Sequence, residues 1–294
     1  MHKIGIYYAY WTHDWDADFH VYIDKVADLG FDILEVNAGT IANLSSPERQ
    51  ALRDHAAERQ IDLTYCIGLT QEYDVASADP AVRANGVEFL KKQAEAIGEM
   101  GGGHCSGILY GSWPGTLPPG DDKAAYVARS IASMKEAVQA AEDNDVIFNL
   151  EVVNRFEQFI MNTAAEGVAY VEEVDSPNCK LLLDTFHMNI EEASIREALR
   201  IGGSHLGHLH IGENNRTPPG SGRGHIPWDD LAATLWEIGY EGSIVMEPFL
   251  MPGGEVGRDI RVFRDLREGL DVDMDEAARQ ACAFMRETLS AAAP

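Results

Sequence analysis

The 294-residue sequence predicts an α/β fold, a single-domain (β/α)8 TIM barrel spanning residues 1–294, on three observations. Eight short apolar runs recur along the chain, a longer stretch with helical periodicity follows each of them, and no linker or low-complexity segment breaks the alternation. Near-continuous apolar runs are what strands of a parallel sheet require, because helices cover both of its faces or ring it from outside. The length alone would also allow two domains, but 45% hydrophobic residues suffice for one large core.

Each element follows from its residues. The first run, KIGIYYAYW from Lys3, precedes the amphipathic DFHVYIDKVADLGF, which stops at Leu29-Gly30. DILEVNA from Asp32 precedes SPERQALRDHAAERQ, and DLTYCIGL from Asp62 precedes AVRANGVEFLKKQAEAIGEMG, which stops at Met100-Gly101. The fourth run, CSGILYGSW from Cys105, leads to KAAYVARSIASMKEAVQAAEDND with a stop at Asn144. VIFNLEVVN from Val146 and TAAEGVAYVEEV form the fifth unit, and KLLLDTFH from Lys180 and ASIREALRIGG the sixth. LGHLHIGE from Leu206 leads to WDDLAATLWEIGY, which stops at Ile238-Gly239, and SIVMEPF from Ser243 is closed by the final helix DEAARQACAFMRETL.

Composition removes several function classes. With 48 acidic against 23 basic residues the formal charge is -25, so a nucleic-acid partner would meet strong long-range repulsion. No stretch approaches 18 consecutive apolar residues and the N-terminal MHKIGIYYAYWTHDW lacks a signal segment, so the expectation is a cytoplasmic protein with no membrane partner. Cys66, Cys105, Cys179 and Cys282 form no close pair of the kind a zinc knuckle or redox dithiol needs, and they read as reduced thiols.

A (β/α)8 barrel places its chemistry at the C-terminal ends of its strands. There the fifth strand offers Glu151, the sixth Asp184, the seventh His208 and His210, and the eighth Glu247. Any one of these is ordinarily a cap or a structural polar residue; four neighbouring strands supplying ligand types at one end are harder to dismiss. His210 lies nearer the C-terminal end than His208, which is placed lower in the barrel. Three carboxylates and one imidazole suit Mn2+ or a similar octahedral ion, with Co2+ or Mg2+ also compatible, and leave about two positions for a bidentate substrate.

The segments LEVVNRFE (150–157), LLLDTFHMNIEE (181–192), GHLHIGENNR (207–216) and IVMEPF (244–249) resemble those of the D-tagatose 3-epimerase and D-allulose (D-psicose) 3-epimerase family. GIYYAYWTHDW (5–15) and GSWP (111–114) are similar as well, so the resemblance covers nearly the whole chain, although QEYDVASADP after the third strand departs from it. The resemblance implies a ketose 3-epimerase of Mn2+ or Co2+, less readily Mg2+, that assembles as a homodimer or homotetramer. It implies Glu151, Asp184, His210 and Glu247 as metal ligands and Glu151 and Glu247 as the acid/base pair. It also implies Glu157, His187 and Arg216 as groups that hold C1 to C3 of the sugar, with Tyr7, Trp15 and Trp113 as aromatic residues around it.

The chemistry is consistent with that assignment. A C3 proton beside a C2 carbonyl can leave to give a metal-stabilised cis-enediolate, and inversion needs a proton returned from the opposite face, hence two carboxylates. Candidate substrates are D-fructose/D-allulose, D-tagatose/D-sorbose and L-ribulose/L-xylulose; GSGRGH (220–225) is only a weak phosphate-binding pattern. An aldose-ketose or hydroxypyruvate isomerase, or a noncatalytic sugar-binding protein, would share the barrel and the metal. A zinc endonuclease would want more ligand histidines and a basic groove.

Overall fold

The eight apolar runs become eight parallel strands because each can pair its backbone with both neighbours while its outward side chains meet a helix. In a computed structural model that describes residues 2–294, these are β1 (Ile4–Tyr7), β2 (Ile33–Asn37), β3 (Asp62–Cys66), β4 (Gly103–Gly107), β5 (Val146–Val152), β6 (Cys179–Asp184), β7 (Leu206–Ile211) and β8 (Ser243–Met246). They hydrogen-bond in sequence order, and β8 pairs with β1 to close the barrel. The single-domain TIM-barrel expectation therefore holds.

Most runs extend a few residues past their strands, and the first and fourth depart furthest from the sequence reading. The fourth strand starts at Gly103, before Cys105, and ends at Gly107, whose φ of 111° turns the chain; a Cβ there would lie 2.3 Å from the Ile67 carbonyl oxygen. The rest of that run is loop. The first strand likewise ends at Tyr7 and gives way to a 3-10 turn over Tyr8–Tyr10.

The helices are α1 (Phe19–Leu29), α2 (Ala38–Asn43), α3 (Ser46–Glu58), α4 (Pro80–Glu99), α5 (Lys123–Asp143), α6 (Ala164–Val174), α7 (Thr185–Glu191), α8 (Ile195–Gly202), α9 (Trp228–Glu237), α10 (Gly254–Asp259) and α11 (Met274–Ala291). Side chains of Asp18, Asp79, Asp122, Thr163, Ser194 and Asp273 accept first-turn N–H groups and fix where six of them start. The short α2, α7 and α10 lie outside the amphipathic stretches of the sequence, being too brief to show a periodicity. Among the described residues no helix is long and apolar enough to cross a membrane.

Strand alternation divides the core in two. Leu34, Val36, Leu150, Leu183, Leu209 and Ile211 are fully buried and pack in the shell between barrel and helices. Their alternates point into the barrel, where Glu35, Thr64, Ser106, Asn149, His208 and His210 are also buried. Barrel interiors are ordinarily filled with branched apolar side chains. This one is polar in its middle, directly beneath the strand ends that carry the candidate site.

Candidate active site

The strand ends converge as the parallel register dictates. Asp184, the last residue of β6, stands opposite His210 of β7, and Glu247 continues the β7–β8 ladder one residue past β8, its N–H donating to the Ile211 carbonyl at 2.9 Å. Glu151 sits one residue from the end of β5. All four are buried, and one ligand-type atom from each of Glu151, Asp184, His210 and Glu247 lies within 4.8 Å of the others. Asp184 has its two oxygens in different roles: Oδ1 accepts the Phe186 N–H and caps α7, while Oδ2 faces the cluster.

His210 is aimed by a residue the sequence reading did not single out. Its Nε2 donates to Glu35 Oε1 at 2.6 Å, while the other Glu35 oxygen accepts the Thr64 hydroxyl at 2.9 Å. His208 lies below, with Nε2 2.9 Å from Glu35 Oε2 but out of line for a hydrogen bond. Burial alone would raise the Glu35 carboxyl; the two imidazoles outweigh it and hold Glu35 well below the usual carboxylate range. With Nε2 committed to Glu35, Nδ1 of His210 has no hydrogen-bond partner and points towards Glu151 and Glu247, 3.8 and 3.6 Å away.

Those residues fit a divalent cation. Glu151, Asp184 and Glu247 are three buried carboxyls that share one guanidinium, that of Arg216, which pairs with only Asp184 and Glu247, and an unpaired buried charge costs several kcal/mol. An orphaned imidazole nitrogen facing three carboxylates is an oxygen-rich, hard donor set with a carboxylate–histidine pair orienting its one nitrogen. The two glutamates are not equivalent. Burial pushes Glu247 up despite His210 and Arg216, whereas for Glu151 the neighbouring imidazoles of His187 and His210 outweigh burial and hold it well below the usual range.

Above the cluster lie the residues that face a small cavity of about 530 Å3. Arg216 sits in the loop after β7 and is only 8% exposed, unlike a surface-loop arginine. Its backbone is left-handed (φ 64°), held by its own N–H to the Glu213 carbonyl, and its Nη1 donates to Asp184 Oδ2 (3.1 Å) and Glu247 Oε2 (2.6 Å). The guanidinium lies over the Phe186 ring at 4.1 Å. His187, in the first turn of α7, accepts the Asn154 backbone N–H at Nδ1 (3.2 Å), which leaves its Nε2–H directed at Glu151 Oε1, 3.5 Å away. Glu157 receives the Trp113 indole N–H (3.0 Å) and the Asn154 amide (3.0 Å).

Tyr7, Trp15 and Trp113 form walls of the same cavity, joined by Phe249, Ile67 and Ile108. Trp113 lies over Gly68, where a Cβ would come within 3.2 Å of its ring. Trp11, which no motif marks as a site residue, instead donates its indole N–H to Asp275 of α11 at 2.7 Å and is packing. All ten sequence-nominated site residues thus meet at one place: eight line the cavity, and Asp184 and His210 lie beneath it. The groups missed were Glu35 and Asn154. A carboxylate inside the apolar ILEVN was a visible sign of the first; nothing local marked the second.

A carboxylate-rich floor beneath a sugar-sized, aromatic-walled cavity at the C-terminal mouth of a parallel barrel defines a barrel sugar isomerase. A family model described as xylose isomerase-like TIM barrel matches residues 23–288. A D-psicose 3-epimerase of Agrobacterium fabrum is 44% identical over 98% of this chain and 99% of its own, and one of Ruminiclostridium cellulolyticum is 46% identical over 98% of each. The crystal structure of D-psicose 3-epimerase with D-tagatose from Clostridium cellulolyticum H10 superposes with a TM-score of 0.94 at 45% identity, covering 98% of this chain and 99% of that one. The chain belongs to the ketose 3-epimerase family and is an isomerase of carbohydrates.

Proposed function

We propose that this chain is a divalent-metal-dependent 3-epimerase of free ketoses, acting on D-fructose/D-allulose first, with D-tagatose/D-sorbose and L-ribulose/L-xylulose as further pairs. The observation that carries this reading is the placement of two buried carboxylates from different strand ends, Glu151 and Glu247, close to the one unpartnered nitrogen of His210 at the cavity floor. One carboxylate takes the C3 proton as the C3–H electron pair moves towards the C2 carbonyl, giving an enediolate. The other returns a proton to the opposite face of C3, so no net proton or electron is consumed. Which of the two is the base is set by which epimer enters, since only the glutamate facing the C3–H can remove it.

Glu151, Asp184, His210 and Glu247 would hold the cation, Mn2+ or Co2+ more readily than Mg2+ given one nitrogen among the donors. When bound, it supplies positive charge that stabilises the negative charge developing on the sugar oxygens. Arg216, His187 and Glu157 bind and orient the C1 to C3 end, and Tyr7, Trp15 and Trp113 exclude water and pack against sugar C–H surfaces. Cytoplasmic location and assembly as a homodimer or homotetramer belong to the same proposal; the outlying Phe156 and Phe263, 67% and 83% exposed, supply apolar surface for a second copy.

The test is metal-stripped protein reloaded with Mn2+ and incubated with D-fructose in D2O. Metal-dependent D-allulose carrying deuterium at C3 is the expected result, and label at C1 with an aldose product would overturn it. Glu151→Gln and Glu247→Gln should each abolish exchange while leaving the circular dichroism of the barrel unchanged.

A further inference from the structure

The wall that Trp15 forms is held by the opposite end of the chain. Its indole Nε1 donates to Asp259 Oδ2 at 2.9 Å, and its backbone N–H donates to Glu255 Oε2 at 3.4 Å. Asp259 and Glu255 both belong to α10, the six-residue helix that follows the β8 strand end carrying Glu247. Two further contacts join the same segments: the Val256 N–H donates to the His13 carbonyl at 2.9 Å, and Gly254, at φ 65°, leaves a Cβ's room of only 2.3 Å to that same oxygen. The loop after β1 and the segment after β8 are thus clasped across the seam where the barrel closes.

Asp259 also lines the cavity, with Ile260 and Ile67, and is not one of the four residues gathered in the carboxylate–histidine cluster. Its other oxygen accepts the Arg258 Nε–H at 3.0 Å, so the carboxylate is fixed by two donors and presents Trp15 in one orientation. A ketose seated with C1 to C3 on Arg216, His187 and Glu157 directs its remaining carbons away from the carboxylate–histidine cluster. Groups there cannot touch the reacting carbon. They can only retain the distal end.

We infer that Asp259 is a positioning residue for substrate length: by clasping the Trp15 indole it sets the wall that retains the carbons beyond C4, and so discriminates six-carbon from four-carbon ketoses. This rests on the ketose 3-epimerase reading above. Asp259 does not enter the proton transfers, so its removal separates binding from chemistry.

The experiment compares C3 deuterium exchange on D-fructose and on the four-carbon ketose erythrulose for the metal-loaded protein, Asp259→Ala, Asp259→Asn, Trp15→Phe and the double variant Trp15→Phe/Asp259→Ala. Losing one hydrogen bond to a charged acceptor should raise KM for D-fructose about tenfold in Asp259→Ala, with kcat within about twofold. Values for erythrulose should move less than about twofold in either parameter, and Asp259→Asn, which keeps an acceptor oxygen, should restore most of the loss. Trp15→Phe, which deletes the donor and shortens the aromatic wall, should raise KM for D-fructose, and adding Asp259→Ala to it should cost nothing more. Equal effects on both sugars, additive effects of the two substitutions, or no KM change in Asp259→Ala would each overturn the inference while leaving the epimerase reading intact. Absence of C3 exchange from any ketose in the unsubstituted protein would overturn both.

Discussion

Glu35→Gln isolates the residue that aims His210 without touching the sugar. The replacement keeps the shape of the side chain, and an amide oxygen can still accept the His210 Nε2–H that Glu35 Oε1 takes at 2.6 Å, while the amide nitrogen faces the Thr64 hydroxyl, itself able to accept. What is lost is the charge. A hydrogen bond to a charged acceptor contributes roughly 1.5–3 kcal/mol and a neutral one roughly 0.5–1.5, so the imidazole loses about 1–1.5 kcal/mol of support for acting as a donor nitrogen. That corresponds to about tenfold, at the lower end of the 10- to 100-fold range typical for residues that orient metal ligands. Folding stability should change less, because removing a buried charge also removes its desolvation cost. Metal titration followed by isothermal calorimetry, together with kcat/KM for C3 exchange at saturating metal, measures both quantities. Unchanged metal affinity and unchanged kcat/KM in a folded Glu35→Gln protein would refute the orienting role. A collapse of the thermal transition would show that Glu35 is structural instead.

Three other outcomes are expected. Chelation should lower the melting temperature: with cation at about 100 times its Kd the linkage contributes about 2.7 kcal/mol, or about 4 °C for a chain of this length, by scanning calorimetry. Trp113→Phe removes the indole donor to Glu157 and should raise KM for the ketose about tenfold with a smaller change in kcat, read by initial-rate kinetics. Glu191, which takes the Arg155 guanidinium through two oxygens and the Arg155 backbone N–H, is held below its ordinary carboxyl value of 4.5, chiefly by Arg155. A depressed carboxyl stabilises above its unfolded value and loses that contribution as pH falls through the folded one. Glu191→Gln should therefore melt about 1–2 °C below the unsubstituted protein at pH 7, a gap that closes below about pH 4.5; a gap independent of pH would remove the ion pair from consideration.

The barrel was legible because its strands are buried on both faces, so DILEVNA, KLLLDTFH and LGHLHIGE stand out as apolar runs whatever follows them. Strand ends were less so: Cys105 opens an apolar run, yet the strand begins two residues earlier, because the backbone pairing of Gly103 and His104 needs no apolar side chain. The ligand-type residues could be read from position at strand ends. Glu35 stood out as a carboxylate inside an apolar strand, but its role could not be read, since that role exists only through His210, 175 positions away. Asn154 and Asp259 escaped for the same reason. Each acts through a side chain that only the folded chain brings near, and α10, which carries Asp259, is too short to announce itself by periodicity.

The division of the core into an apolar shell and a polar barrel interior has a consequence for anyone who would alter this enzyme. Residues such as Leu34, Leu183 and Leu209 face the helices and share no atom with the floor of the cavity, whereas Glu35, Thr64 and His208 face inward and are tied to it. Durability and chemistry are therefore written on opposite faces of the same strands. A heat-resistant variant can be sought by repacking every second residue of the barrel, one register position away from each inward-facing carboxylate and imidazole, and a change of the cavity by working only on the loops above.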